Sequence, residues 1–338
     1  MEGRLRVMRT GLVLGISLLV LPVSSAVHAQ GAVRAWTPPR TADGHPDLEG
    51  TWIIRTATPL ERPKALEGRA LLTDEEVAAL KARADQIFKN GTSDFAAGDA
   101  VFLAALNGPD RFTSVTSTHG AEDMIEREFD HQTSQVIDPA DGHIPPLTPD
   151  AQKRRAAVAA AARRADGPED LDQAFRCLSW GVPRLGGRYG AGDLSYYQIV
   201  QTRTHIVLFM ETGHEARIVQ MDGRPHPSSS LGQLSGDSRG HWEGDTLVVD
   251  TTNFSPKSNF MGAADHLHVI ERFTRVSADT ITYRMTFDDS TTWTRSWTAE
   301  VPLKRTEQPL FEYACHEGNF PLMTSVLSGA HASDAGAR

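Results

Sequence analysis

The segments HLHVIERFTRV (266–276) and TITYRMTF (280–287) decide the fold. Side chains alternate between the two faces of a strand. The first segment therefore puts Leu267, Val269, Glu271 and Phe273 on one face and His266, His268, Ile270 and Arg272 on the other. The second puts Ile281, Tyr283, Met285 and Phe287 in one row, with Thr282, Arg284 and Thr286 opposite. TWTRSWTAEV (292–301) continues the pattern with Trp293, Arg295, Trp297, Ala299 and Val301. Glu271 and Arg295 are thus charges in an apolar row, and a carboxylate facing a core is costly unless it is paired. Tight turns near Ala278-Asp279 and Asp289-Ser290 set Glu271 opposite Met285, and Met285 near Arg295. The two charges are expected to lie one strand apart and to pair.

Upstream, YYQIVQ, HIVLFME, ARIVQM and DTLVVDTT are further short β segments separated by turn chemistry, and FEYACH (311–316) reads as a last one. Their regular spacing predicts a mainly β protein whose antiparallel meander closes into a barrel. No strand alternates with a helix, and the glycine cluster GGRYGAG (186–192) lacks the strand and helix that a phosphate loop needs. No cofactor is expected. Two accessory helices are predicted. One spans about 73–89, where Thr73 and Glu76 form a capping box and Val77, Leu80, Ala84 and Ile87 share a face. The other spans about 149–165, capped by Thr148 with Pro149 in its first turn.

Residues 1–29 read as a signal peptide: Arg4, Arg6 and Arg9 precede the apolar run 11–23, and Val27-His28-Ala29 offers a cleavage site. A proline-rich extended lead-in (30–46), one barrel domain (47–330) and a disordered tail (331–338) follow. No later segment is apolar enough to span a membrane, and the expected location is periplasmic or secreted. The formal charge of −9, without a basic stripe, excludes nucleic acid as a natural partner. Cys177 and Cys315 are the two cysteines, both in the exported part, and in an oxidising compartment they are expected to pair.

Two resemblances follow from specific residues. Gly50-Thr51-Trp52 on a first strand resembles the opening of lipocalin-type barrels. The stretches VIDPADGHIPPLT, RCLSWGVPR, MDGRPHP, GDSRGHWEGDTLVVDTTNF, ERFTR and FEYACHEGN are similar to a widespread family of exported bacterial proteins. That resemblance implies an exported, cysteine-paired, β-rich domain and assigns no activity to particular residues.

Candidate chemistry lies in three polar segments read as strand ends that meet at one barrel mouth. ETGHEAR supplies Glu211, His214 and Glu215, MDGRPHP supplies Asp222, Arg224 and His226, and GDSRGHWEGD supplies Asp237, Arg239, His241 and Trp242. Histidine titrates near neutral pH and a carboxylate fixes its tautomer, so this gathering suits proton transfer. His316, beside Cys315, and Glu271 join the catalytic candidates. Arg295, Arg224, Trp242, Tyr283, Trp293 and Trp297 are candidates for binding a small, partly apolar molecule. The leading expectation is an exported lyase, hydratase or isomerase working by His/Glu/Asp acid–base chemistry without a covalent intermediate. A lipocalin-like periplasmic carrier is the alternative. A second alternative is a metal-dependent enzyme ligated by His214, His226, His241 and His316, although no metal site is assigned.

Overall fold

The expected meander forms: β8 (His268–Arg275), β9 (Thr280–Asp288) and β10 (Trp297–Thr306) are successive antiparallel strands, and Glu271 faces Met285. The computed structural model describes residues 36–87, 100–108, 127–164, 166–183, 196–258 and 260–336. The signal segment and the cluster 186–192 lie outside them.

Seven more strands complete the sheet: β1 (Gly50–Ile53), β2 (Val136–Asp138), β3 (Tyr196–Gln201), β4 (His205–Met210), β5 (Glu215–Gln220), β6 (Asp237–Glu243) and β7 (Thr246–Thr252). The order β1-β3-β4-β5-β6-β7-β8-β9-β10 closes on itself, because β1 pairs with β3 on one edge and with β10 on the other. The result is a nine-strand barrel, antiparallel except where β5 and β6 run parallel and pair at Gln220 and Arg239. β2 adds to β10 at Thr298 and Ala299, on the edge that β1 takes over at Lys304–Thr306.

One register expectation fails. Met285 faces Ala299, not a residue near Arg295. The β9–β10 connection is longer than a tight turn because buried Asp289 folds it: its carboxylate accepts from the Thr291 amide and hydroxyl and from the Thr292 hydroxyl. Trp297, Ala299 and Val301 nevertheless occupy the buried row of β10 and point inward, as expected. Arg295 falls in the loop and pairs at 2.8 Å with Asp138 on the surface.

The inward rows fill the barrel. Trp52, Tyr283, Met285, Phe287, Trp297 and Val301 are at most 1 % exposed, each large side chain contributing roughly 1.5–3 kcal/mol by leaving water. At the end where β8 begins, Phe260, Phe287, Trp297 and Trp293 form a chain of ring contacts that plugs the lumen. At the other end the lead-in lies across the opening. Trp52 Nε1 donates to Leu48 O at 2.9 Å, and Arg275 donates to Asp47 O while packing over the Trp52 ring.

The helices number four among the described residues rather than two. α1 (Asp74–Ile87) has the predicted capping box: the Thr73 amide donates to Glu76 and the Glu76 amide to Thr73 Oγ1. α2 (Ala100–Asn107) packs on it through a separate small core that includes Leu80, Ala84, Phe102 and Ala105. α3 (Pro149–Arg164) is capped by Thr148 Oγ1, which accepts from the Ala151 amide. α4 (Cys315–Gly336) occupies the positions expected to hold the end of a last strand and a disordered tail. Cys177 and Cys315 lie at disulfide-bonding distance, Cα to Cα 5.9 Å, and fasten the start of α4 to the 170s segment. Among the described residues no helix is long and apolar enough to cross a membrane.

Candidate acid–base site on the barrel wall

Parallel strands cannot be joined by a hairpin. The chain leaving β5 must return along the barrel before entering β6, and residues 221–236 do this as a strap. Gly236, at φ +70°, ends the strap where an added Cβ would come within 2.8 Å of Thr252 O. The segment GDSRGHWEG, expected from sequence to be a strand end, contains the whole of β6. Its alternation sends Ser238, Gly240 and Trp242 inward and Asp237, Arg239, His241 and Glu243 outward.

The strap carries His226 onto that outer face. His226 Nδ1 lies 2.7 Å from Asp237 Oδ1, and Nε2 lies 3.1 Å from Asp250 Oδ1 on β7. The same Asp250 oxygen takes His268 Nε2 from β8 at 3.0 Å. Arg239 supports the array from behind, donating to both Asp237 oxygens at 2.7 and 3.1 Å and to Gln220 Oε1 at 3.0 Å. The His226 ring is 24 % exposed and the His268 ring 37 %. His268 Nδ1 has no hydrogen-bond partner among the described residues.

The electrostatics follow from these contacts. Burial pushes the Asp237 carboxyl upward, but the hydrogen bonds from Arg239 and His226 outweigh it and hold the group below the usual carboxylate range. Asp250 is likewise pushed up by burial and held down, more strongly, by His268 and His226. The hydrogen bond to Asp250 raises His268 above the ordinary histidine value against the opposing effect of burial, helped by the charges of Asp250 and Asp288. A carboxylate that orients one nitrogen of a partly exposed imidazole is an arrangement suited to a general acid.

The other sequence candidates lie elsewhere. His241 shares the outer face of β6 but sits four residues beyond Asp237, about 13 Å along a strand, and pairs with Glu243 at 3.2 Å. The expected gathering at one mouth is therefore replaced by a cluster on the wall. The strap fixes where His226 goes, and the parallel seam that requires a strap leaves no mark in local sequence. Asp222 binds Arg224 within the strap and lies 3.8 Å from Arg239. His214, in the turn before β5, accepts from the Tyr313 amide at 2.9 Å, and His316 is exposed in the first turn of α4. Trp242 stacks on His45 with ring centres 4.8 Å apart.

Glu271 is buried as its row implied, but its partner is Arg217 of β5. The guanidinium meets the carboxylate through two hydrogen bonds, one of 2.7 Å, and Tyr283 Oη donates to the same group. Tyr283, Trp293 and Trp297, expected to line a ligand pocket, are packed core residues. Asp237 belongs to a segment the sequence brings forward, whereas Asp250 and His268 are not among its candidates, although His266 and His268 share a face. Asp250 stands in the outward row of DTLVVDTT, and that polar position in an apolar strand was the available signal.

An open depression of about 630 Å³ lies at the far end of the barrel, between the lead-in (Thr41, Asp43, Asp47, Glu49) and the β3–β4 turn (Gln201, Arg203). Among the described residues no group of three or more His, Cys, Asp or Glu has the arrangement of a metal site. No family model, curated protein or solved structure matches the chain.

Proposed function

We propose that the chain is an exported enzyme that moves a proton on a small, partly apolar molecule at the outer wall of its barrel, without a covalent intermediate. One observation carries the reading: a single carboxylate oxygen, Asp250 Oδ1, holds two imidazoles, one of which keeps a ring nitrogen available to a ligand. His268 is the proton carrier, Asp250 orients it and steadies its charged form, and His226 fixes Asp250 from the other side. A single accessible imidazole that delivers and retrieves a proton suits isomerisation or reversible addition of water. The filled lumen favours this reading over a carrier that encloses its ligand in the barrel.

The test is turnover of a panel of hydroxy acids, unsaturated acids and enolisable ketones by the wild type and by His268→Gln. Turnover by the wild type that falls about 10²- to 10⁴-fold in the variant, with an unchanged near-UV circular dichroism spectrum, is expected. Equal turnover by the two proteins, or none with any member of the panel, counts against the proposal.

A further inference from the structure

The strap crosses the wall as irregular chain, and its attachment is unusual. Both ring nitrogens of His226 face carboxylate oxygens, so the ring satisfies both only by donating twice, as an imidazolium. We infer that residues 222–232 of the strap, between ends pinned at Met221 and Gln233, are a proton-operated latch: charged His226 holds them closed on β6 and β7, and loss of a ring proton releases them. This inference concerns regulation of the site just described and rests on that reading for its consequence.

The physical argument is local. A neutral ring keeps one N–H and turns a lone pair toward the other carboxylate, so an attraction becomes a repulsion at about 3 Å. Asp237 does not depend on His226 for a partner, because Arg239 donates to both of its oxygens. Asp250 likewise keeps His268, which is itself opposite Asp288 of β9. Both carboxylates therefore stay ionised and satisfied when the strap leaves. The charged groups of the strap near the ring, Asp222 and Arg224, neutralise each other. The nearest further anchor, Asn253 Nδ2 donating to Pro227 O at 3.0 Å, carries no charge. Pro225 and Pro227 flank His226 and fix two backbone torsions, so the segment swings as a unit rather than fraying residue by residue.

The sign follows from the same contacts. Asp237 and Asp250 are held below the usual carboxylate range by their partners, so the anionic side of the latch persists into acid. The ring meets both carboxylates only when it carries both protons, so closure is favoured in acid and weakens as pH rises. The latch is closed in mild acid and opens on the alkaline side.

Amide hydrogen exchange of the full disulfide-bonded chain, corrected for intrinsic rates, tests this at about pH 5 and about pH 9, values that bracket the histidine titration. Residues 222–232 of the wild type are expected to lose at least tenfold protection between the two, while β7 and β8 do not change. His226→Gln should be open at both values, and His226→Arg, which donates at every pH, closed at both. Equal strap protection in the wild type at the two values overturns the latch, as does a His226→Gln strap that is as protected as the wild type in acid. No substrate enters the measurement. A failed latch leaves the acid–base reading standing, and a wall without turnover leaves the latch standing.

Discussion

Arg217 and Glu271 meet across the inside of the barrel, from β5 and β8, which are separated in the sheet by β6 and β7. Both are nearly inaccessible to solvent, with side-chain exposures of 5 % and 0 %. β5 pairs along its length with β4 but is joined to β6 by a single named residue pair, so this bridge spans the weak β5–β6 seam to reach the firmly paired β7–β10 sheet. Removing one partner leaves a bare charge in the core, which costs about 3–5 kcal/mol, whereas replacing both with apolar groups of similar volume is close to neutral. Glu271→Gln and Arg217→Met should each lower stability in urea by an amount of that order, and Arg217→Met with Glu271→Leu should recover most of it. Two single variants as stable as the wild type would remove the bridge from any account of barrel closure.

Tyr283→Phe deletes one hydrogen bond to the Glu271 carboxylate without changing shape. A loss of about 1.5–3 kcal/mol is expected, the range for a hydrogen bond to a charged group. Denaturant midpoints of the two proteins with equal slopes measure it.

The cysteine pair closes a loop with a sequence separation of 138. Chain entropy alone assigns such a link about 4–5 kcal/mol. Labelling of denatured, unreduced protein should find no free thiol, and reduction should lower the melting temperature. Two reactive thiols per chain in protein prepared without reductant contradict the link.

Asp250 raises His268, so the proton that His268 donates should remain bound above the pH at which a free histidine loses it. The contribution of this pair to folding is complete below about pH 6.5 and is lost as pH rises through the higher folded value. Turnover should fall on the alkaline side with a limb displaced upward. Asp250→Asn should move that limb to lower pH, and nuclear magnetic resonance titration of the His268 ring reads the same shift directly. A limb that Asp250→Asn does not move shows that the carboxylate does not tune the ring.

Gly236→Ala should destabilise the strap exit by about 2–4 kcal/mol, because a side chain there adds left-handed backbone strain to overpacking against Thr251 and Thr252. Thermal unfolding measures it. A melting temperature equal to that of the wild type would show that the exit can relax.

What the sequence reveals here is what alternation can encode. Glu271 lies in a period-two row with Val269 and Phe273, so its burial and its register against Met285 are legible without a structure. Its partner is not, because Arg217 stands in ARIVQM, where Ala216 and Ile218 make the opposite row nearly as apolar as that of Arg217 and Val219. Arg295 was misplaced because Asp289 builds a folded loop from side-chain hydrogen bonds, which spacing does not show. The wall site is a long-range object. His226, Asp237, Asp250 and His268 come from the strap and three strands, and the parallel step that brings them together has no local signature. The aromatic FEYACH suggests a strand by propensity, yet its end begins a helix fastened by Cys315, a tertiary override of local preference.

The pairing of β1 with β10 also sets a schedule for folding. Thr51 lies in the first strand and its neighbour Thr306 in the last, so the ring of strands cannot join while the chain is still emerging from its amino end. Until β10 arrives, β1 offers an unsatisfied edge and Trp52 has no lumen to fill. Contacts this distant along the chain form late and slowly. A chain made in this order stays an open sheet precursor and becomes a closed ring only once β10 is available.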